Sequence, residues 1–197
     1  MKPVQAVLLS GFIILGVSLL SPVIATHFKP APPPVIGQAG EFELIDSNHS
    51  SFNSSTLKGK VWVTNFFFTN CGGICPFVTG NIRKVYNQFE GIEDLKFVSI
   101  TVDPERDGPT ALMEYAENFS INTARWHFLT GTKELINKVS LEGFKLGTFE
   151  DPAFHTEKVV LIDRNFNVRG YYSGTEPKDL KRLAQDAKAL LGEKFNG

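Results

Sequence analysis

The sequence predicts an α/β protein, a mixed sheet flanked by helices, preceded by an N-terminal membrane anchor. Three observations carry this. Apolar, β-rich runs alternate with segments of helical periodicity through the middle of the chain, which means βαβ units and parallel strands. Two later β-rich runs are joined by a short turn-prone link and so form an antiparallel hairpin. Ahead of both, Ala6 to Ala25 runs for 20 residues without a charge, and a helix of that length spans roughly 30 Å, the thickness of a bilayer core.

Residues 1–25 therefore read as a transmembrane anchor. A cleaved signal peptide is the rival, since Lys2 supplies a thin positive region and Val23-Ile24-Ala25 passes as a cleavage site, but the apolar stretch is longer than the usual signal core. In either case the body is exported to the periplasm or its equivalent: membrane-anchored, or secreted after cleavage. Lys2 stays on the cytoplasmic side. Residues 26–36 form a Pro-rich linker, with His27 to Pro34 as a polyproline-like stalk. Residues 37–197 form one domain, which 197 residues in all allow and two full domains would strain.

Within that domain, Glu41 to Ile45 is a short alternating strand or hairpin, and the polar stretch Asn48 to Lys60 is a loop or short helix. Val61 to Phe68 is β-branched and aromatic almost throughout, as a central strand covered on both faces must be. After Pro76, tolerated in a first helical turn, Val78, Ile82, Val85, Tyr86 and Phe89 recur at helical spacing. Leu95 to Val102 is a strand, Thr110 to Phe119 a helix, Trp126 to Leu129 a strand and Thr132 to Leu141 a helix. Lys158 to Ile162 and Phe166 to Tyr172 form the hairpin, linked by Asp163-Arg164-Asn165. An amphipathic helix from Pro177 to Leu191 closes the chain, with Leu180, Leu183, Ala184, Ala187 and Leu191 on one face. This plan is similar to that of thioredoxin.

A net charge of −1, with both signs mixed along the chain, offers no footprint for a polyanion and excludes nucleic acid as the expected partner. The chemistry concentrates instead in Cys71 and Cys75, the two cysteines of the chain. They occupy the turn between the central strand and the next helix. A structural disulfide is weakened by the short loop that it would close. Thiol redox work remains open, because Gly72-Gly73 relaxes the roughly 5 to 6 Å that a regular helix puts between Cβ atoms four apart. Metal binding also remains open, since two thiolates are soft donors that select copper(I) or zinc. Zinc needs two more protein ligands, whereas a three-ligand copper site needs one histidine. The candidates are His27, in the stalk; His49, in a polar loop; His127, a packed or surface imidazole inside a strand; and His155, in a loop that leads to the strand Lys158 to Ile162. In a thioredoxin-like sheet that last loop faces the cysteine turn. Val102-Asp103-Pro104-Glu105-Arg106-Asp107 opens on the same rim, where Asp103 and Asp107 either tune the site or cap the helix before Pro109-Thr110.

With these residues assembled, the chain resembles the Sco/SenC family of membrane-anchored copper proteins of cytochrome c oxidase assembly. The resemblance rests on Phe68-Thr69-Asn70-Cys71-Gly72-Gly73-Ile74-Cys75-Pro76, on the Asp-Pro-Glu-Arg-Asp string, and on His155 ahead of Leu161-Ile162-Asp163, and it covers roughly residues 35 to 192. It implies a thioredoxin-like domain binding one copper ion through Cys71, Cys75 and His155. It also implies delivery of copper to the dinuclear centre of oxidase subunit II or another acceptor, or reduction of that centre's cysteines, with a copper donor or thiol reductant as further partner. Two positions depart from the pattern: Asn70 stands where the family often has His, and Gly72-Gly73 where Pro-Asp or Pro-Ser is more usual.

Two expectations of different class follow. As a metallochaperone the chain holds copper in an incomplete shell open to an acceptor thiolate. As a thiol-disulfide reductase, Cys71 attacks a partner disulfide and Cys75 resolves the intermediate. Cys71, at the head of a helix, is expected to have the lower thiol pKa. A peroxidase is disfavoured by the twin cysteines at one turn, and a copper-responsive sensor is not separated from the chaperone by sequence.

Overall fold

The computed structural model of the chain describes residues 31–147, 157–193 and 195. The expected anchor, residues 26–30 of the Pro-rich linker and His155 lie outside the described residues. From Gly37 the elements run β1 (Gly37–Gln38), β2 (Glu43–Asp46), β3 (Ser51–Asn53), a 3-10 turn (Ser54–Leu57), β4 (Val61–Phe67), α1 (Ile74–Asn87), β5 (Leu95–Thr101) and α2 (Pro109–Asn118). They continue with β6 (Trp126–Thr130), α3 (Lys133–Lys138), a π-helical turn (Val139–Phe144), β7 (Lys158–Ile162), β8 (Asn167–Ser173) and α4 (Pro177–Leu191).

The strands form one mixed sheet in the order β1-β8-β7-β4-β5-β6-β2-β3. The central β4-β5-β6 part is parallel, as the βαβ reading requires. The outer pairings are antiparallel, including the β7-β8 hairpin. All seven residues of β4 are buried because both its faces are covered. Val61, Val63 and Phe67 pack with Val78 and Ile82 of α1, Leu112 of α2 and Leu183 of α4. Trp62 and Phe66 turn to the other face, against Phe42, Phe144 and Phe166. Asn65 is buried in the same strand and is satisfied sideways: Ser99 donates to its Oδ1 at 2.7 Å, and Trp126 Nε1 donates to Ser99 at 2.9 Å.

Two elements differ from expectation: strand β3 lies within the polar stretch expected as a loop or short helix, paired with β2, and the third helix is cut short. The helix expected over Thr132 to Leu141 starts with Thr132 as its cap, but regular α-geometry ends at Lys138 and the chain widens into the π turn. Packing accounts for this. The wider turn brings Phe144 edge-on to both Trp62 and Phe66, each at 5.8 Å between ring centroids, and Tyr171 Oη donates to its carbonyl at 2.9 Å.

The hairpin is pinned from below. Asp163 accepts from the backbone N–H groups of Asn165 and Asn167, each at 2.9 Å, and from Arg169 Nη1 at 2.7 Å. Arg169 falls at a bulge in β8, between Val168 and Gly170, which pair with Ile162 and Leu161. Its guanidinium also donates to both Glu193 oxygens, at 3.2 Å each, and to the Pro33 carbonyl at 2.7 Å. The end of the Pro-rich stretch is thus tied to the sheet edge, where Ile36 N–H also donates to Val168 O at 2.9 Å.

Burial works against the Asp163 carboxylate, but the hydrogen bonds from Arg169, Asn167 and Asn165 outweigh it and hold its pKa below the usual range. A depressed carboxyl pKa stabilises the fold above the unfolded group's pKa, and that contribution is lost as pH falls through the folded value. Arg169 and Asp163 are only 9% and 7% exposed, so Arg169→Ala leaves a buried charge unpaired and is expected to cost about 3 to 5 kcal/mol in urea unfolding at pH 7. The difference from wild type should shrink as the medium is acidified.

Candidate metal and thiol site

Parallel strands deliver the chain to one rim, so the segments that leave β4 and β5 emerge side by side. The antiparallel β7 begins at that rim, with Val159 opposite Asn65. The cysteine turn fills the space between β4 and α1. Its glycines are not there for room: a Cβ added at Gly72 or Gly73 meets nothing within 4 Å. Cys71 lies three residues before the helix and is partly exposed, whereas Cys75 is in the first turn and buried, and both are free thiols.

The two thiols are neighbours, and each shifts the pKa of the other. Burial disfavours the Cys71 thiolate, but the Cys75 thiol and the backbone N–H groups of Cys75, Gly73 and Ile74 donate to it, and the net effect lowers its pKa. These are the donors that a helix N-terminus leaves without intrahelical partners. Gly73 has no side chain with which to compete for them. Cys75 is pushed up to about 12, first by burial and then by the hydrogen bond with Cys71. The expectation that Cys71 is the more acidic thiol is met.

The loop after β5 supports the turn from beneath. Asp107 is fully buried, and its carboxylate accepts from Thr69 N–H at 2.9 Å and from the hydroxyls of Thr69 and Thr101. It does not cap α2, whose cap is Gly108 without a side-chain bond. Asp103 pairs with Arg106 at 2.7 Å. Tyr115 approaches from α2 and shares a 2.9 Å hydrogen bond with Thr79; burial pushes its pKa up to about 12, with the thiols and Asp107 adding to the rise.

The histidines separate. His127 Nδ1 lies 2.7 Å from Asp46 Oδ2 and its ring packs 4.7 Å from that of Phe52, the packed imidazole expected for it. His49, in the β2-β3 turn, has Nε2 3.4 Å from Thr110 Oγ1. His27 and His155 lie outside the described residues. Among the described residues, no three His, Cys, Asp or Glu side chains gather as a metal site. The structure therefore brings Cys71 and Cys75 together and leaves the third donor unassigned. Asn81 was not singled out by sequence, although a polar residue on the stripe of Val78, Ile82 and Val85 was a readable signal. It is buried, and its Nδ2 donates to the Gly174 carbonyl at 2.9 Å.

A thioredoxin-like sheet with a reduced cysteine pair at the head of α1 defines a class of thiol and metal-handling domains. Residues 33–192 match the SCO1/SenC family, and the chain belongs to it. A SCO1/SenC family lipoprotein from Bacillus anthracis is similar, with a TM-score of 0.74, 32% identity, and 82% of this chain and 99% of that one covered. BsSco, described as a member of the Sco family of cytochrome c oxidase assembly proteins with a disulfide switch, gives a TM-score of 0.73 at 27% identity, covering 84% of this chain and 100% of its own. ScoI of Bradyrhizobium japonicum, solved with copper bound, gives 0.59 at 25%, covering 79% and 99%. Copper is thus a ligand of this family.

Two outcomes test the site. Brief iodoacetamide treatment of the reduced protein should modify Cys71 before Cys75, with the Cys71 rate rising at a pH below that at which an ordinary thiol ionises; mass mapping of the labelled peptides reads this out. Asp107→Ala, which strands the Thr69 and Thr101 donors, should cost about 1.5 to 3 kcal/mol in urea unfolding.

Proposed function

We propose that this chain is a copper metallochaperone for assembly of the dinuclear copper centre of cytochrome c oxidase, exported and held at the membrane by residues 1–25. One copper is bound through Cys71, Cys75 and His155. The carrying observation is the pair of free thiols at the uncapped head of one helix. Two thiolates and an imidazole are a donor set that copper accepts. Copper here is cargo, and Cys71, the more exposed thiol, is where an acceptor thiolate reaches the ion. Membrane attachment is supported by the charge-free run Ala6 to Ala25 and by the lipoprotein character of the Bacillus anthracis relative. Among the described residues no helix is long and apolar enough to cross a membrane.

A second reading draws on the unequal thiols and on the disulfide switch of BsSco. The Cys71 thiolate attacks a partner disulfide, forming a mixed disulfide and releasing one partner thiolate. Cys75 then gives up its proton and attacks the Cys71 sulfur, so that the second partner thiolate leaves and the Cys71–Cys75 disulfide forms. Two electrons pass from the cysteine pair to the partner. The burial that makes Cys75 a poor first nucleophile suits it to this resolving step.

Copper added to the reduced exported domain separates the readings. Wild type should bind one equivalent with sulfur-to-copper charge transfer, and Cys71→Ser and His155→Ala should each weaken binding. Unchanged affinity in His155→Ala removes His155 from the ligand set. Failure of wild type to bind, with turnover of a disulfide substrate, leaves the reductase.

A further inference from the structure

Helices α1 and α4 pack side by side and both start at the thiol rim. The first leaves the cysteine turn, and the second follows Ser173, which pairs with Lys158 at the start of β7. Between them runs an open groove of about 1130 Å³. Its floor is apolar: Val85 and Phe89 on one side, Leu180, Ala184 and Leu191 on the other, all packed on the main core. A large apolar side chain stands in solvent at each end, Phe77 at 57% exposure just past Cys75 and Ile92 at 41% at the far end.

The charges on the walls are one-sided. Lys84, Lys181, Lys188 and Arg164 line the groove against a single carboxylate, Asp94. Asp94 is already engaged, by Lys60 at 2.7 Å and by Arg164 at 3.3 Å. Lys84 donates to the neutral Asn81 amide at 3.0 Å. Among the described residues, no carboxylate pairs with Lys84, Lys181 or Lys188. The whole chain carries a net charge of −1, so this basic excess belongs to the groove and not to the composition. An occupant that complements it brings apolar anchors and carboxylates together. The α1 wall from Phe77 to Gln88 is about 16 Å long, the length of a helix of about three turns. A bilayer is the wrong shape, because the apolar surface here is concave.

We propose that the groove between α1 and α4 is a docking site for an acidic amphipathic helix on the protein with which this chain exchanges copper or electrons. Phe77 is two residues past Cys75, so a helix seated there lies beside the cysteine turn. The identity of the partner rests on the function proposed above, whereas the preference of the groove for an acidic helix does not.

The probe is a fluorescein-labelled helical peptide of about three turns, with leucine along one face and glutamate on its flanks; a second peptide carries lysine for every glutamate. Anisotropy is read with the reduced full chain in phosphatidylcholine nanodiscs, against empty discs. The acidic peptide should bind at least about 10-fold more tightly than the basic one and weaken as salt rises. Lys181→Glu combined with Lys188→Glu should lower its affinity by about 10-fold or more, with urea unfolding and the iodoacetamide rate of Cys71 as in wild type. Phe77→Ala should weaken it too. No binding of the acidic peptide, equal binding of the two peptides, or undiminished binding by the lysine variant overturns the inference. Displacement of the peptide by dihexanoyl phosphatidylglycerol below its micellar concentration makes the groove a lipid site and overturns it as well. So does self-association that the lysine variant abolishes, which makes a second copy the occupant. Each of these outcomes leaves the reading of Cys71 and Cys75 intact, and a failed copper titration leaves the groove intact.

Discussion

A strand buried on both faces can meet solvent only at its ends, and β4 is such a strand. Everything about the thiol site follows from how the chain leaves it. Two sheet partners fix β4 along its length, the parallel β5 and the antiparallel β7. The last of these contacts is made past the strand, where Val102 N–H donates to the Phe67 carbonyl at 2.8 Å. Asp107 then takes hold of Thr69, so the chain is fixed until two residues before Cys71. On the far side α1 is fixed by Val78 and Ile82 in the core. The cysteine turn hangs between two rigid supports, and its freedom is confined to Asn70 through Gly73.

That arrangement makes the two thiols unequal. The sulfur ahead of the helix faces the uncapped N–H groups, while the sulfur inside the first turn faces the core. A metal ligand must be deprotonated, so binding copper through both sulfurs releases the proton that Cys75 holds in the free protein. Burial raises the thiol pKa of Cys75 to about 12 and so sets a cost on metal binding that the metal must offset. The same burial keeps Cys75 from wasteful first attack. The two proposed readings, metal carrier and thiol reductant, would thus draw on one asymmetry.

How much of this was legible in the chain varies with the range of the interaction. Val61 to Phe68 is apolar on both faces apart from Thr64 and Asn65, and a pattern that local gives the central strand and the cysteine turn at its end. The alternating helices and strands give the parallel order, because parallel strands need crossovers. The π turn was not legible. It depends on Phe144 meeting Trp62 and Phe66, residues far away in sequence. The carboxylate of Asp107 was visible as a feature of the rim, but its partners Thr69 and Thr101 come from two different strand ends. His127 could be read only as a default, and its partner Asp46 is 81 residues away. Asn81 was visible as a polar residue on an apolar stripe, but its partner Gly174 is 93 residues distant.

Gly72 and Gly73 are where this chain departs from its family's usual pair, and the structure bears on why that is tolerated. A Cβ at either position would meet no neighbour within 4 Å, so neither glycine is needed to make room for another element. Their consequence is entropic. A glycine loses more backbone freedom on ordering than another residue, by roughly 0.5 to 1 kcal/mol. Two of them make it costlier by about 1 to 2 kcal/mol to fix the turn in any single geometry, whether ligand shell or disulfide, a factor of roughly 5 to 30 in an equilibrium constant. The cost falls on both states alike and so favours neither. On the proposed reading of copper as cargo, a turn that holds it less tightly suits a site that must give it up.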